Sequence, residues 1–314
     1  MTDSAAASPN RSRTRAVLEL LRLPNVFTAI ADVLLGFLFV HGSLEPGHLA
    51  GLLVVASALL YLSGMVLNDV FDREVDAAQR PERPIPSGRI TLAHASRLGW
   101  ALLASGVLAA CIVSFMVGGV RAGIVALLLA ALIVAYDAVL KKTLLGPIAM
   151  GGCRMLNVLL GMSATLEPWP VAAWILAAGL GVYVTGVTAF ARTEAVRSKR
   201  PQLILGSVLM LLGILVVAAY PRWMADAWAL PYRDFEDRWP LFWIVIALLI
   251  GVRLARAIID PRPATVQLAV KNAILSIIVI DAGAALAVAG SFWATALVLL
   301  LLPAMALGRW IYST

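Results

Sequence analysis

The sequence predicts an all-α polytopic membrane protein. Hydrophobic residues make up 61% of the 314-residue chain and charged residues 14%, and the mean hydropathy is +0.90. A soluble domain is about half apolar and about a quarter charged, so this composition excludes an ordinary soluble fold. A membrane helix needs about 20 apolar residues to cross the hydrocarbon core. Ten runs approach this length, near residues 25–42, 49–71, 92–116, 119–140, 145–163, 171–191, 201–219, 240–259, 266–287 and 292–311.

The segments outside these runs are short. Residues 1–21 are polar, small and basic, without the apolar core and cleavage site of a signal peptide, so we expect a disordered cytosolic N-terminus. Residues 22–314 are expected to form a single transmembrane domain, because removing the apolar runs leaves no stretch long enough for a soluble one.

The distribution of basic residues indicates the orientation. If the N-terminus lies inside, twenty of the 25 lysines and arginines fall on inner segments, four on outer segments, and Arg154 within a run. Loops rich in Lys and Arg stay preferentially in the cytoplasm. We therefore expect a multi-pass protein of the inner or cytoplasmic membrane with its active site on the cytoplasmic side. The net charge of +7 is then mostly a topology signal, and nucleic-acid binding is not expected.

The densest polar pattern ends the second run. Asn68, Asp69, Asp72 and Asp76 lie within nine residues of one another. If the helix continues through them, the three aspartates are spaced i, i+3 and i+7 and project from one face. Crowded carboxylates repel one another unless a cation neutralises them, and all-oxygen ligands favour a hard ion. The pattern therefore predicts a Mg²⁺ site at the membrane surface.

A basic loop follows this motif at once. Arg80 and Arg83 lie among several prolines and Gly88, a composition typical of a structured loop rather than of a continuing helix. Guanidinium groups match phosphate oxygens in charge and geometry, and Mg²⁺ shares its remaining positions with substrate phosphates. The two segments together predict a metal and phosphate site. The alternative is a solvated loop with charges of both signs, as charge runs usually are.

Polar side chains also mark the end of the fourth run. Tyr136 precedes Lys141 by five residues, and Lys142 follows directly. These side chains either reach a diphosphate, or they are an interfacial tyrosine and two lysines that anchor the helix at the membrane surface. The sequence leaves both interpretations open.

Ionisable residues within the runs are expected to face a cavity or one another, because charge is costly in hydrocarbon. Arg154 and Asn157 are three residues apart on one face of the fifth run, and we expect both to line a cavity. A buried arginine needs an anionic partner. Asp32 in the first run and Asp281 in the ninth are candidates for that pairing or for the cavity wall.

The Asn-Asp-x-x-Asp-x-x-x-Asp order of residues 68–76, followed by Arg80 and by the Arg-Pro-Ile-Pro-Ser-Gly stretch of residues 83–88, resembles the UbiA superfamily of intramembrane prenyltransferases. The Leu-Pro-Asn stretch of residues 23–25 and the tyrosine-to-lysine spacing agree with it. The resemblance implies a bundle of nine or ten transmembrane helices around a central cavity. It also implies Mg²⁺-dependent transfer of an isoprenyl group from a polyprenyl diphosphate to a lipophilic acceptor, expected to be aromatic.

The spacing and the resemblance together assign candidate roles. The catalytic residues are expected to be Asp69, Asp72, Tyr136 and Lys141. The metal ligands are expected to be Asn68, Asp69, Asp72, Asp76 and Glu194. The diphosphate-binding residues are expected to be Asn25, Arg80, Arg83, Lys141, Lys142 and Arg192, and the cavity wall is expected to include Arg154, Asn157 and Tyr183.

One departure from the family pattern favours a second hypothesis. The family normally carries another Asp-rich motif at the cytoplasmic end of the sixth run. In this stretch of the present chain Glu194 is the only carboxylate, and Arg192 would have to supply the missing positive charge. The stretch over residues 146–161, with the Ala-Arg-Thr-Glu-Ala of residues 191–195, is similar to the UbiA-like EboC subgroup. The alternative function is therefore a catalytically weakened protein that binds or helps to traffic a lipophilic metabolite precursor.

Overall fold

The computed structural model describes residues 9–195, 197–224, 230–233 and 235–310. Over these residues the α-helices, in chain order, are α1 (Pro9–Leu21), α2 (Val26–His41), α3 (Gly47–Phe71), α4 (Arg73–Gln79), α5 (Leu92–Val117), α6 (Arg121–Ala138), α7 (Gly146–Gly161), α8 (Val171–Ala191), α9 (Arg200–Ala219), α10 (Leu230–Arg233), α11 (Trp239–Ile259), α12 (Pro263–Val298) and α13 (Leu301–Trp310).

The apolar helices form one bundle. Eight helical segments among the described residues are long and apolar enough to cross a membrane. α7 has only 16 residues, but it packs against α2, α6 and α8 as part of the bundle. Large apolar side chains cover the outer surface, including Phe115 at 88% exposure and Phe292 at 72%, as expected of helices that face lipid. The chain is an integral multi-pass membrane protein, and the predicted all-α fold class is confirmed.

The last two apolar runs are joined by a break rather than a loop. α12 is interrupted at Gly290, whose φ of 78° and ψ of −178° are accessible mainly to glycine. α13 then ends at the turn before α2, where a β-carbon on Gly308 would lie 3.9 Å from Pro24. Since α12 also begins at that end of the bundle, the chain reverses direction at Gly290. The tenth run is therefore a returning arm, which the structure describes over residues 291–310.

The N-terminal segment differs from the prediction. Residues 1–8 lie outside the described part of the chain, but the disorder expected over residues 1–21 is wrong from Pro9 onward, where α1 begins. Ala16 and Leu20 are fully buried against α3 and the start of α5. These two apolar residues are one helical turn apart, so they give the otherwise polar helix a face that docks on the bundle.

α2 and α7 cross in backbone contact. A β-carbon built on Gly36 would lie 3.0 Å from the α-carbon of Gly161, and the reverse distance is also 3.0 Å. Small residues allow membrane helices to approach this closely and to gain van der Waals contact between backbones. The crossing sets the relative position of two helices that carry the charged residues of the first and fifth runs.

We expect Gly161→Ala to lower the melting temperature, because the new β-carbon would overlap the carbonyl oxygen of Val33. Overpacking of this kind typically costs about 1–3 kcal/mol. The matched control is Gly51→Ala in α3, where nothing lies within 4 Å and alanine should stabilise the helix by about 0.5–1 kcal/mol. Thermal unfolding in detergent, followed by size-exclusion chromatography, measures both, and equal melting temperatures would contradict the close crossing.

Candidate active site

A cavity of about 390 Å³ opens inside the bundle, between α2, α3, α6, α7, α8 and α12. Its lining on α3 runs from Asn68 to Ser57, which corresponds to about 16 Å along the helix. Polar residues lie at both ends, and apolar side chains line the middle, among them Leu60, Leu129, Ile133, Val187 and Ile277. The predicted central cavity is confirmed, and we call the end at Asn68 the charged end.

Arginines pair with two of the motif aspartates at the charged end. Asp69 accepts hydrogen bonds from Arg22 at 2.8 Å and from Arg83 at 3.3 Å, and Asp76 accepts one from Arg83 at 2.7 Å. Both carboxylates are only 5% exposed, so each needs a nearby positive charge. The helix does not continue unbroken through the motif, because α3 ends at Phe71 and α4 begins two residues later. Asp69 and Asp76 nevertheless reach the same guanidinium group.

Lys141 joins the end of α6 to the motif on α3. Its Nζ donates to the Asn68 side-chain oxygen at 2.9 Å and lies 2.8 Å from an Asp72 carboxylate oxygen. Tyr136, five residues earlier, lines the cavity on the same side. Of the two interpretations that the sequence leaves open, this geometry favours the one in which both side chains lie near the motif.

The donor set suits a hard divalent cation. Asn68 and the three aspartates offer only oxygen atoms, the ligands that Mg²⁺ prefers. Within the described ranges, no three Asp, Glu, His or Cys side chains are already gathered as a metal site. Arg22, Arg83 and Lys141 instead supply the positive charge that the carboxylates require. The chemistry of these residues therefore fits Mg²⁺, with basic side chains holding the carboxylates in this structure.

Asn25 and Glu194 line the charged end from the α2 and α8 sides. Burial raises the pKa of the Glu194 carboxyl, while the positive charges of Arg80 and Arg22 oppose that rise in its pKa. Arg80 itself is exposed. The structure thus places Glu194 in the cavity wall and Arg80 outside it, within electrostatic range.

Two predicted phosphate contacts lie at the edge of the site. Arg192 is exposed and donates a hydrogen bond to the backbone carbonyl of Thr143. Lys142 is exposed, and the described cavity wall does not include it. Lys141 and Lys142 belong to a 3₁₀ turn, in which successive side chains point about 120° apart, so Lys142 points away from the motif residues that Lys141 contacts.

The prediction that Tyr183 lines the cavity is wrong. Its side chain is fully buried between helices, and its hydroxyl donates to the backbone carbonyl of Ala273 on α12 at 2.9 Å. A buried tyrosine needs a hydrogen-bond partner, and the α12 backbone provides one away from the cavity. Tyr183 therefore links α8 to α12.

The opposite end of the cavity is a buried polar network. Arg154 donates to Asp32 at 2.6 Å and to the Thr28 hydroxyl at 2.6 Å. Asn157 donates to Asp32 at 3.1 Å and accepts from Ser57 at 2.7 Å. The structure thus pairs Arg154 with one of its two candidate partners and places Arg154 and Asn157 in the cavity wall. The other candidate partner, Asp281 on α12, is fully buried close to this pair.

Two charged residues of the site, Asp137 and Arg22, are not among those predicted from the sequence. Asp137 is 3% exposed, lines the cavity, and has one carboxylate oxygen without a hydrogen-bond partner among the described residues. Its position beside Tyr136 within an apolar run was a usable signal, because ionisable residues in such runs are usually functional. Arg22 lines the cavity and bonds to Asp69, yet in the sequence it is simply the last basic residue before the first run.

These features define an all-helical membrane protein with an oxygen-rich, charged site at one end of an apolar cavity. The sequence profile of the UbiA prenyltransferase family matches residues 29–267. This match covers more than half of the chain. The chain therefore belongs to the UbiA prenyltransferase family.

Curated relatives include two digeranylgeranylglyceryl phosphate synthases. The one from Ignicoccus hospitalis is 36% identical over 156 residues, 49% of each chain, and the one from Sulfolobus acidocaldarius is 37% identical over 129 residues, 41% of this chain and 44% of the relative. The chain thus spans about half the length of the curated relatives it matches.

Solved structures share the fold. A UbiA homologue from Archaeoglobus fulgidus bound to DMAPP and Mg²⁺ has a TM-score of 0.57 and 16% identity, covering 84% of this chain and 98% of that one. The apo structure of a UbiA homologue from Aeropyrum pernix has a TM-score of 0.62 and 15% identity, covering 82% and 96%.

We expect Arg154→Met to lower the free energy of unfolding by about 3–5 kcal/mol, because Asp32 would remain buried and charged without its partner. Asp32→Leu should cost a similar amount, whereas the double variant should recover much of the loss. The matched control is Arg15→Met, whose pair with Glu19 is exposed and should contribute less than about 1 kcal/mol. Unfolding of the four proteins in detergent completes the double-mutant cycle, and strictly additive losses would contradict a coupled pair.

Proposed function

We propose that this chain is a Mg²⁺-dependent intramembrane prenyltransferase that moves an isoprenyl group from a polyprenyl diphosphate to a lipophilic acceptor. The main support for the proposal is that a charged site lies at one end of a long apolar cavity. Four oxygen donors from residues 68–76 and the basic Arg22, Arg83 and Lys141 meet at that end. A diphosphate fits the charges, and an apolar chain fits the cavity behind them. Family membership and the synthase activity named for the curated relatives support the same reaction.

The ion pairs at the charged end support the proposed ligands. The motif carboxylates and the basic side chains neutralise each other, so the carboxylates are suited to a divalent cation and the cationic groups to phosphate oxygens. Bound to the donors of residues 68–76, Mg²⁺ would neutralise negative charge on the leaving diphosphate. The Archaeoglobus fulgidus relative was solved with DMAPP and Mg²⁺, which supports this pair of ligands here.

The cavity wall has the properties that an allylic cation needs. Prenyl transfer breaks the carbon–oxygen bond to the diphosphate, which leaves with the bonding electrons, and the acceptor then attacks the allylic carbon and loses a proton. The ring of Tyr136 lines the cavity beside the charged end, where an aromatic face stabilises a cation. The apolar middle of the cavity excludes water that would otherwise capture the cation.

The second Asp-rich motif of the family is reduced in this chain, and Asp137 and Glu194 provide negative charge at the charged end. Both carboxylates line the charged end, one from α6 and one from the segment after α8. An unpartnered buried carboxylate oxygen, as on Asp137, is costly unless a proton or a cation satisfies it. We propose that Asp137 contributes to cation binding in place of the missing aspartates.

The proposal also includes the class of acceptor and the side of the membrane on which the active site lies. The resemblance stated above implies an aromatic acceptor. The name of the curated relatives refers instead to a glyceryl phosphate, which favours a glycerophosphate-type lipid as the acceptor of this chain. The bias of basic residues supports an active site on the cytoplasmic side of the inner or cytoplasmic membrane. The reduced second motif favours one competing candidate, an EboC-like protein that binds or helps to traffic its lipid without turnover.

We expect Asp69→Ala and Lys141→Met each to lower turnover by about 10²–10³-fold, because each removes a group that offsets charge on the leaving diphosphate. Lys142→Met is the matched control, since this neighbouring lysine is exposed and should leave turnover unchanged. The assay follows release of diphosphate and formation of prenylated lipid from labelled isoprenyl diphosphates, with Mg²⁺ or EDTA and a membrane lipid extract. Tight Mg²⁺-dependent binding without release would favour the carrier instead.

For Asp137→Asn we expect about a tenfold rise in the Mg²⁺ concentration that gives half-maximal turnover, because one carboxylate that attracts the cation is neutralised. Glu74→Gln is the control, since the Glu74 side chain is 84% exposed near the same motif. A Mg²⁺ titration of diphosphate release measures both variants. An unchanged titration curve for Asp137→Asn would exclude its role in cation binding.

A further inference from the structure

A second pocket, of about 200 Å³, adjoins the main cavity at its charged end. Its wall comes from the first turns of α12, from α13 and from the turn before α2. Asn25, Glu194, Val270 and Ile274 line both spaces. A molecule in the second pocket would therefore lie directly beside the proposed site of the diphosphate.

The second pocket carries unpaired positive charge. Lys271 and Arg309 both line it, and neither makes an ion pair or a hydrogen bond to any described residue. Glu194 is the only carboxylate in the described wall, so the pocket has a formal charge of +1, and Gln267 adds an amide group. The three basic side chains of the charged end are instead paired with aspartates. Unlike them, the two cations of the second pocket are available to an anion from outside the chain.

Part of the wall of this pocket comes from residues that follow the matched family profile. That match ends at residue 267, whereas Lys271, Arg309 and all of α13 lie after it. The arm reaches the charged end only because the chain reverses at Gly290. The second pocket is therefore closed by the tenth apolar run, whose helix α13 packs against the turn before α2.

We infer that the second pocket binds the anionic head group, a phosphate or phosphate ester, of the lipid acceptor. Lys271 and Arg309 would hold the phosphate oxygens through charge-assisted hydrogen bonds. The apolar side chains of Leu275 and Met305 would contact the part of the acceptor next to its head group. Holding the acceptor beside the donor converts an encounter in the bilayer into an oriented reaction. The inference rests on the proposed function and assigns a location to the head group of its acceptor.

Direct binding tests the pocket without relying on turnover. The full-length protein in phosphatidylcholine nanodiscs is titrated with an alkyl glycerol phosphate and with the same alkyl glycerol lacking the phosphate. We expect the phosphate to strengthen binding about tenfold or more, and Lys271→Gln or Arg309→Gln to remove roughly tenfold each. Lys271→Arg should retain most of the affinity. Lys199→Gln, at an exposed lysine that lines neither cavity, is the control for loss of one charge.

Kinetic constants then distinguish a defect in acceptor binding from a defect in donor binding. In both charge variants the KM for the phosphate-bearing acceptor should rise about tenfold, while the KM for the diphosphate should not change. Gly308→Leu should have the same effect by filling the pocket, since a β-carbon there already approaches Pro24. Unchanged acceptor binding in Lys271→Gln and Arg309→Gln would overturn the inference.

The bilayer is the other source of a phosphate head group. Nanodiscs that contain phosphatidylglycerol test this source by competition. Equal competition by phosphatidylglycerol would identify a general phospholipid site and overturn the acceptor assignment, whereas weak competition supports it. If the wild-type protein transfers no prenyl group, the proposed function fails, but selective head-group binding that the two variants abolish would still establish the anion site.

Discussion

The ion pair between Arg154 and Asp32 is the interaction on which the rest of the bundle depends. A guanidinium at this depth is costly in hydrocarbon, and the structure satisfies it with a carboxylate and a threonine hydroxyl. The Asn157 amide donates a further hydrogen bond to the same carboxylate. The pair links α2 to α7, the two helices whose backbones touch at Gly36 and Gly161. Close crossing and charge pairing reinforce each other, because the short distance between the backbones brings the two charged side chains within reach. The result is a rigid polar network at the end of the cavity opposite the charged end.

The charged end follows the same electrostatic rule with a different outcome. Asp69, Asp72 and Asp76 also have basic partners, but those partners come from the residue after α1, from the loop after α4 and from the turn after α6. Long side chains on connecting segments can change partners at little cost, unlike those held between two crossing helices. The buried pair of Arg154 and Asp32 therefore stabilises the fold. The charged groups at the charged end, in contrast, are suited to exchange their present partners for ligands.

Much of this arrangement could be predicted from sequence because its signals are local. The motif of residues 68–76 and the pair Tyr136 and Lys141 each lie within a short stretch at the end of an apolar run, so the members of each group stay close together despite the breaks in the helices. The pairing of Arg154 with an aspartate follows from the cost of a lone charge in hydrocarbon. Tyr183 and Lys142 could not be placed in this way, because their orientations depend on which face of a helix or turn meets the rest of the bundle. The docking of α1 likewise depends on a surface formed by distant residues.

The reversal at Gly290 has the largest consequence that sequence periodicity could not show. Two apolar runs separated by a few residues indicate two helices, but not where the second one ends. A φ of 78° at a single glycine turns the arm back along α12, so that Arg309 and Lys271 come to line one pocket although they are far apart in the chain. The bundle has an apolar cavity with a charged end, and the returning arm contributes Arg309 to a second pocket next to that end. Under the proposed function, the choice of acceptor can therefore change through α13 while the residues assigned to the diphosphate stay the same.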